Sequence, residues 1–228
     1  AFGHSLEANT SKVVEETGGS VVGSVRHPFP GTDFSSFLLQ AQASGADVIG
    51  LANAGGDTVN SIKQAAEFGI TQAGQALAGL LIFITDVHAL GLETAKGLVL
   101  TEAFYWDLND DTREWSARFS EEMGGSKPTM VHAGVYSAVT HYLKGVEAAD
   151  SKETEAVMDW MKSNPSQDQV FGEGSLREDG RHLHDMYLFQ VKSPAESAGD
   201  CDYYKLRSTI PAEVAFMPLE DGGCALVE

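Results

Sequence analysis

Residues 46–70 read ADVIGLANAGGDTVNSIKQAAEFGI, and this stretch decides the fold. Ala46–Leu51 is a short apolar run carrying the β-branched residues Val48 and Ile49, the pattern of a strand. Asn53 to Gly56 form a polar, glycine-bearing loop. Asp57–Phe68 then sets apolar residues at helical spacing until Gly69 ends the helix. The unit of strand, loop and helix recurs on both sides. Val21–Arg26, Leu77–Ile84 and Leu98–Phe104 read as further strands, and Ser5–Thr17, Asp33–Ser44 and Asp86–Lys96 as further helices. Strands separated by helices pair as parallel neighbours, because each helix carries the chain back across the sheet. The expected fold class is α/β, a parallel sheet flanked by helices. Its ligand loops belong at the carboxyl ends of the strands.

The texture changes after Tyr105. Asp110–Met123, Thr129–Ala149 and Lys152–Lys162 all read as helices. Asp110 or Asp111 is expected to cap the first, and Gly124-Gly125 to end it. Pro128 and Thr129 open the second, whose Val131, Val135, Val139, Leu143 and Val146 recur at helical spacing. Three helices with no strands nearby in sequence are expected to pack on residues encoded upstream or on a partner. After Gln169 come a loop, a turn at Glu178-Asp179-Gly180, and a strand over Asp185–Val191.

Composition limits the partners. The 228 residues carry 33 acidic against 15 basic side chains, a formal charge of −18, and the basic residues are scattered. A nucleic-acid surface needs clustered Lys and Arg, so that class is excluded. No apolar run approaches the roughly 20 residues that span a bilayer. No leader pattern opens the chain, and the strand that should feed its first helix is absent, so it is expected to start inside a longer protein. Cys201 and Cys224 lie in an irregular, Tyr-, Pro- and Gly-rich tail. A bridge there would close a loop of about 20 residues and contribute about 3 kcal/mol. The other reading is two separate buried thiols. The irregular tail favours the bridge.

Candidate chemistry collects at strand ends. In the loop Asn53-Ala54-Gly55, the glycines Gly55 and Gly56 let the backbone approach a ligand, and the helix start offers N–H groups to an anion. Asn53 adds a donor and an acceptor. A small carboxylate fits better than a pyrophosphate, since neither Gly-x-Gly-x-x-Gly nor a phosphate loop is present. The alternative is a tight turn with an ordinary helix cap. Thr85, Asp86 and His88 follow the next strand and can hydrogen-bond a solute, or serve as an N-cap. Phe104-Tyr105-Trp106 marks the change of texture, as core packing or as a hinge. Met130 and His132, at the next helix start, offer a cleft contact. His182 and His184 share a strand face but lack a third ligand, so no metal or cofactor site is assigned. No catalytic constellation is assigned either.

The ordered pieces resemble the second lobe of type I periplasmic binding proteins, the group that includes the Leu/Ile/Val-binding proteins. The resemblance covers nearly the whole chain. It rests on Phe2-Gly3 with Gly18-Gly19, on Thr32–Phe37 before Ala46-Asp47-Val48-Ile49, and on Lys63–Ile70. It continues through Ala95-Lys96-Gly97-Leu98 with Tyr105-Trp106, and ends with Pro128 before Tyr136-Ser137-Ala138-Val139, where Ser137 replaces the more usual Asp. It implies an extracytoplasmic, periplasmic subunit of an ABC importer that binds a small polar or aromatic solute (an amino acid, an aromatic carboxylate or an amide) in an interlobe cleft, and meets a membrane permease. Closure would be by hinge motion, without catalysis. Phe2 matches an aromatic position at the cleft, and Asn53, Ala54 and Gly55 the solute-contacting loop. Residues 1–103 and 182–228 would form the second lobe, and 104–181 the crossover and helical part of the first, whose sheet is missing. Crossovers are expected near Phe104–Asp107 and Leu176–Arg181. A half-built first lobe exposes apolar surface, so self-association is expected. Two other readings stay open: a ligand-sensing regulatory domain of the same fold, and an α/β enzyme using Asp86 and His88.

Overall fold

The computed structural model describes residues 1–225 and residue 227. The chain divides into two compact units, Ala1–Thr101 with Phe189–Leu206, and Glu102–Leu188 with Arg207–Glu228.

The first unit runs α1 (Phe2–Glu16), α2 (Ser35–Ala43), β1 (Val48–Leu51), α3 (Gly56–Glu67), β2 (Ala76–Gly79), α4 (Ile84–Leu90), α5 (Leu92–Ala95) and β3 (Val99–Glu102). β1 and β2 pair in parallel from Val48↔Ala76 to Leu51↔Gly79. β2 and β3 pair in parallel through Ala78↔Val99 and Gly79↔Leu100. With β7 (Met186–Val191) and β8 (Tyr204–Ile210) they form one sheet ordered β1-β2-β3-β7-β8. The parallel α/β reading of the sequence holds. Strand residues Ile49, Leu51, Leu77 and Leu100 and helix residues Leu38 and Ile62 are buried, each stabilising the fold by about 1.5–3 kcal/mol.

Three sequence expectations for this unit are corrected. Val21–Arg26 is irregular, not a strand. A strand exists only through its ladder, β1 is the sheet edge, and Val21, Val22, Val25 and Val48 are exposed. The helix over Asp86–Lys96 is two helices broken at Gly91. The second strand is shorter than expected, because Leu80–Phe83 leaves the sheet as a loop.

The second unit holds α6 (Asp110–Glu122), α7 (Met130–Ala149), α8 (Thr154–Ser163), β4 (Ser166–Asp168), β5 (Gly172–Leu176), β6 (His182–Leu183) and α9 (Ala212–Ala215). Asn109, rather than Asp110 or Asp111, caps α6, its Oδ1 accepting from Thr112 N at 2.9 Å. The three helices do have strands at hand: β4, β5 and β6 form a small antiparallel sheet that packs on α7 and α8. The face that α7 buries is Ala133, Ser137, His141 and Gly145, while Val131, Val135, Val139 and Leu143 are exposed. Small residues win that face because the neighbours come close. A Cβ at Gly145 would lie 3.2 Å from both Val157 and Trp160. The core of the unit is Phe104, Trp115, Ala133 and Val170.

The chain passes between the units after Thr101 in β3, Leu188 in β7 and Leu206 in β8. The sequence reading drew the lines at 103/104 and 181/182 and kept the tail with the first unit. Cys201 and Cys224 form no disulfide, which corrects the favoured reading. They fall in different units, and the tail is regular in part, since β8 lies within it. The β7–β8 loop is held by charge instead. Lys192 Nζ meets Asp202 Oδ1 at 2.5 Å, Ala198 N donates to Asp202 Oδ2 at 2.8 Å, and Glu196 pairs with Lys205.

Candidate solute-binding loops at the sheet edge

Leu51 and Gly79 are paired residues at the carboxyl ends of β1 and β2, and Leu80 N still donates to Leu51 O at 3.2 Å. The loops that follow them, Ala52–Gly55 and Leu80–Phe83, are therefore neighbours on one sheet edge. Each opens directly into a helix, α3 and α4, whose first N–H groups face the same edge. Gly55, at φ 57° and ψ −131°, takes a conformation open to glycine alone at low cost.

Asn53 is a brace within the loop. It is 9% exposed. Its Nδ2 donates to Ser61 Oγ at 3.2 Å and to His27 Nε2 at 3.2 Å, and its Oδ1 accepts from Thr58 Oγ1 at 2.8 Å. His27 Nδ1 donates to Pro28 O at 2.8 Å, which leaves Nε2 as the acceptor Asn53 requires. Asp57 accepts from Gly31 N at 3.2 Å and lies 3.9 Å from His27 Nδ1. Gln64 completes the clip, accepting from Phe34 N at 2.7 Å and donating to Thr32 O at 3.1 Å. The network ties residues 27–34 to α3 and fixes the loop.

Phe2 comes to the same edge. A Cβ at Gly3 would stand 2.8 Å from Ala52 O, so only glycine lets the first turn of α1 sit on the β1–α3 loop. Phe2 is half-exposed beside it. Thr85 is exposed on the first turn of α4. Asp86 Oδ2 accepts from Phe83 N at 2.9 Å and so caps α4. His88, one turn further along α4, is engaged by the β7–β8 segment: its Nδ1 is 2.7 Å from the Tyr203 hydroxyl, just ahead of β8. The structure thus brings Phe2, Asn53, Ala54 and Gly55 together, sets Thr85 and Asp86 in the first turn of α4 just past the adjoining loop, and engages His88, one turn further along α4, with Tyr203. The brace residues His27, Thr58, Ser61 and Gln64 escaped the sequence reading. A buried-network role leaves no periodic mark, and only the clustering of His27 with Pro28, Pro30 and Gly31 hinted at a fixed loop.

In the second unit Phe104 meets Trp115 edge-on at 5.5 Å, Tyr105 is buried, and Trp106 lies under Lys127 Nζ at 4.4 Å. This aromatic run begins three residues after the first chain crossing. Met130 packs against the same core, and His132 Nδ1 is 3.0 Å from the hydroxyl of its cap Thr129. His182 and His184 line an open hollow of about 470 Å³ with Asp179, Arg181 and Phe216. Burial pushes both imidazoles below their ordinary range. His184 stacks on Phe171 at 4.2 Å, and His182 Nε2 is 2.6 Å from Ser166 Oγ.

Among the described residues no helix is long and apolar enough to cross a membrane. A family model described as periplasmic binding protein matches residues 1–200. A solved periplasmic binding protein from Burkholderia mallei is 52% identical, with a TM-score of 0.92, covering all of this chain and 60% of its own. A branched-chain amino acid ABC transporter periplasmic ligand-binding protein from Burkholderia xenovorans LB400 is 42% identical, with a TM-score of 0.91, over 99% of this chain and 60% of its own. The Leu/Ile/Val-binding protein homolog 6 of Brucella melitensis biotype 1 is 28% identical over 205 residues, 83% of this chain and 49% of that protein. The chain therefore spans about half the length of that curated relative. Matched over most of its length and superposing on both Burkholderia structures, the chain belongs to the periplasmic binding protein family, on its type I, Leu/Ile/Val-binding branch.

Proposed function

We propose that the chain belongs to an extracytoplasmic solute-binding subunit of an ABC importer, and that it holds the carboxylate of a small solute with the loops after β1 and β2. One observation carries the reading: two adjacent parallel strands end in loops that each start a helix, and one has its backbone opened by Gly55 and braced from behind by Asn53. In this reading the backbone N–H groups of Gly55 and Gly56 and the Thr85 hydroxyl meet the solute, and Phe2 covers it. Asn53 positions the loop and Asp86 positions α4. Family membership, and the likeness to the Burkholderia xenovorans periplasmic ligand-binding protein of a branched-chain amino acid ABC transporter, support the solute class. Aromatic acids and amides stay within it, since Phe2 offers a ring face.

Binding without turnover is part of the proposal. Asp86 is engaged as a helix cap and His88 by Tyr203, so the pair an enzyme would use is committed elsewhere. Family membership supports a periplasmic location and a membrane permease as partner. The test is isothermal titration calorimetry of the complete protein with leucine, valine, 4-hydroxybenzoate, benzamide and urea. Binding of at least one of them, weakened tenfold or more by Gly55→Val, is the expected result. Silence across the panel, or full affinity in Gly55→Val, would overturn it.

A further inference from the structure

Among the described residues, one group of three or more His, Cys, Asp and Glu side chains brings metal-competent donor atoms together, and only its His88 shares an element, α4, with the proposed solute contacts. His88 on α4 meets Asp200 and Cys201 from the β7–β8 loop, each offering one donor atom, all within 4.8 Å of one another. We propose that His88, Asp200 and Cys201 form a three-donor site for a zinc-like divalent cation, which ties α4 to the β7–β8 loop.

The chemistry of the set is selective. An imidazole, a carboxylate and a thiolate together suit zinc or another borderline-soft ion, whereas calcium and magnesium want oxygen alone. The spacing is close to what such an ion needs. His88 Nδ1 and Asp200 Oδ1 are 3.6 Å apart. Two ligand atoms each about 2.0 Å from a tetrahedral zinc stand roughly 3.3 Å apart, so the pair needs only a small side-chain rotation.

The donors are also held in place before any ion arrives. The Tyr203 hydroxyl donates to Asp200 Oδ1 at 2.7 Å and accepts from His88 Nδ1 at 2.7 Å, which links the two ligands through one oxygen. A cation between them takes the place of these two hydrogen bonds, with Nδ1 giving up its proton. Asp202, one residue past Cys201, fixes the loop through Lys192 Nζ and Ala198 N. Access is open, with the His88 side chain 59% and the Asp200 side chain 78% exposed. Three protein donors leave the fourth position of a tetrahedral ion to water or to a further ligand. Binding takes the thiol as thiolate and the imidazole as its neutral form, so it releases protons and tightens as pH rises.

The experiment is calorimetric titration of the tag-free, reduced chain with zinc chloride, repeated with cobalt(II) as a spectroscopic probe. Expected are one zinc per chain, at least tenfold weaker binding in each of His88→Gln, Asp200→Asn and Cys201→Ser, and no change in Cys224→Ser. Cobalt should give a thiolate-to-metal charge-transfer band that Cys201→Ser abolishes and Cys224→Ser keeps. These are surface substitutions, and circular dichroism on each variant separates loss of the site from loss of the fold. Unchanged zinc affinity in any one of the three folded variants, or a cobalt band indifferent to Cys201→Ser, would overturn the proposal.

Discussion

Asn53 shows how a residue can shape a site without touching what binds there. Both of its N–H groups and its carbonyl oxygen are engaged by His27, Ser61 and Thr58. Asn53→Ala leaves buried partners unsatisfied, and should cost about 2 kcal/mol, read as a lowered urea midpoint. Asn53→Asp keeps the shape but replaces two donors with acceptors, and should cost at least as much. His182 and His184 make a second residue-scale prediction. Burial lowers their folded pKa values below 6.5, so below pH 6.5 the unfolded chain binds more protons than the folded one. Stability is then full above pH 6.5 and falls as pH drops through the window beneath it. Asp179 and Glu196, held at about 2 by Arg177 and Lys205, respond only at lower pH, as their unfolded carboxylates begin to protonate near 4.5. Urea midpoints at about pH 7.5 and 5.5 should therefore differ in the parent and differ less in His184→Phe. An equal drop in both proteins would remove this burial from the account. The candidate site was legible at this scale only in outline. Asn53 and Gly55 stand out in sequence because loop chemistry is local, but the partners that commit Asn53 lie as far back as His27.

Elements were legible in proportion to how local their stabilisation is. β1, α3 and the loop between them follow from adjacent residues, and they form as read. Val21–Arg26 has the composition of a strand, yet pairing is a property of two segments, and in this chain those residues make no ladder. β4, β5 and β6 were missed because they are two to five residues long and include the unpatterned stretch Gly172–Leu176, whose identity as strand comes from register alone. α7 was legible as a helix but not in its orientation. Periodicity marks a stripe of Val and Leu; close packing chose the small residues on another face. This yields a prediction for the element. Val135→Glu with Val139→Glu should leave the unfolding free energy, read from urea titration, within about 0.5 kcal/mol of the parent, since neither side chain is buried. A loss of several kcal/mol would show the stripe to be covered in solution. Gly55→Ala tests the other element boundary. With φ 57° and ψ −131°, it should cost about 1–3 kcal/mol, where a surface Gly→Ala on a helix would gain.

At the scale of the molecule, two apolar surfaces and a large charge oppose each other. The edge of the five-stranded sheet presents Val48, with Val21, Val22 and Val25 also exposed, and α7 presents Val131, Val135, Val139 and Leu143. An unpaired strand edge and a long apolar stripe both favour association. The net charge of −18 works against it, because copies of the chain repel one another. Charge repulsion between surfaces is screened within about 10 Å at 0.1 M salt, whereas apolar attraction is not weakened by salt. The balance should therefore tip with ionic strength. We expect sedimentation velocity on the 228-residue chain to show more self-association at about 0.5 M than at about 0.05 M sodium chloride, where the screening length shrinks severalfold. The Val135→Glu, Val139→Glu variant should shift the distribution toward monomer at both salts, since it interrupts the stripe and adds charge. A parent that stays a compact monomer at high salt would mean that neither surface is sticky enough to matter. A parent that associates while the variant associates equally would assign the contact to the β1 edge. Val48→Lys, which places a charge on that exposed strand, would then be the substitution that restores the monomer.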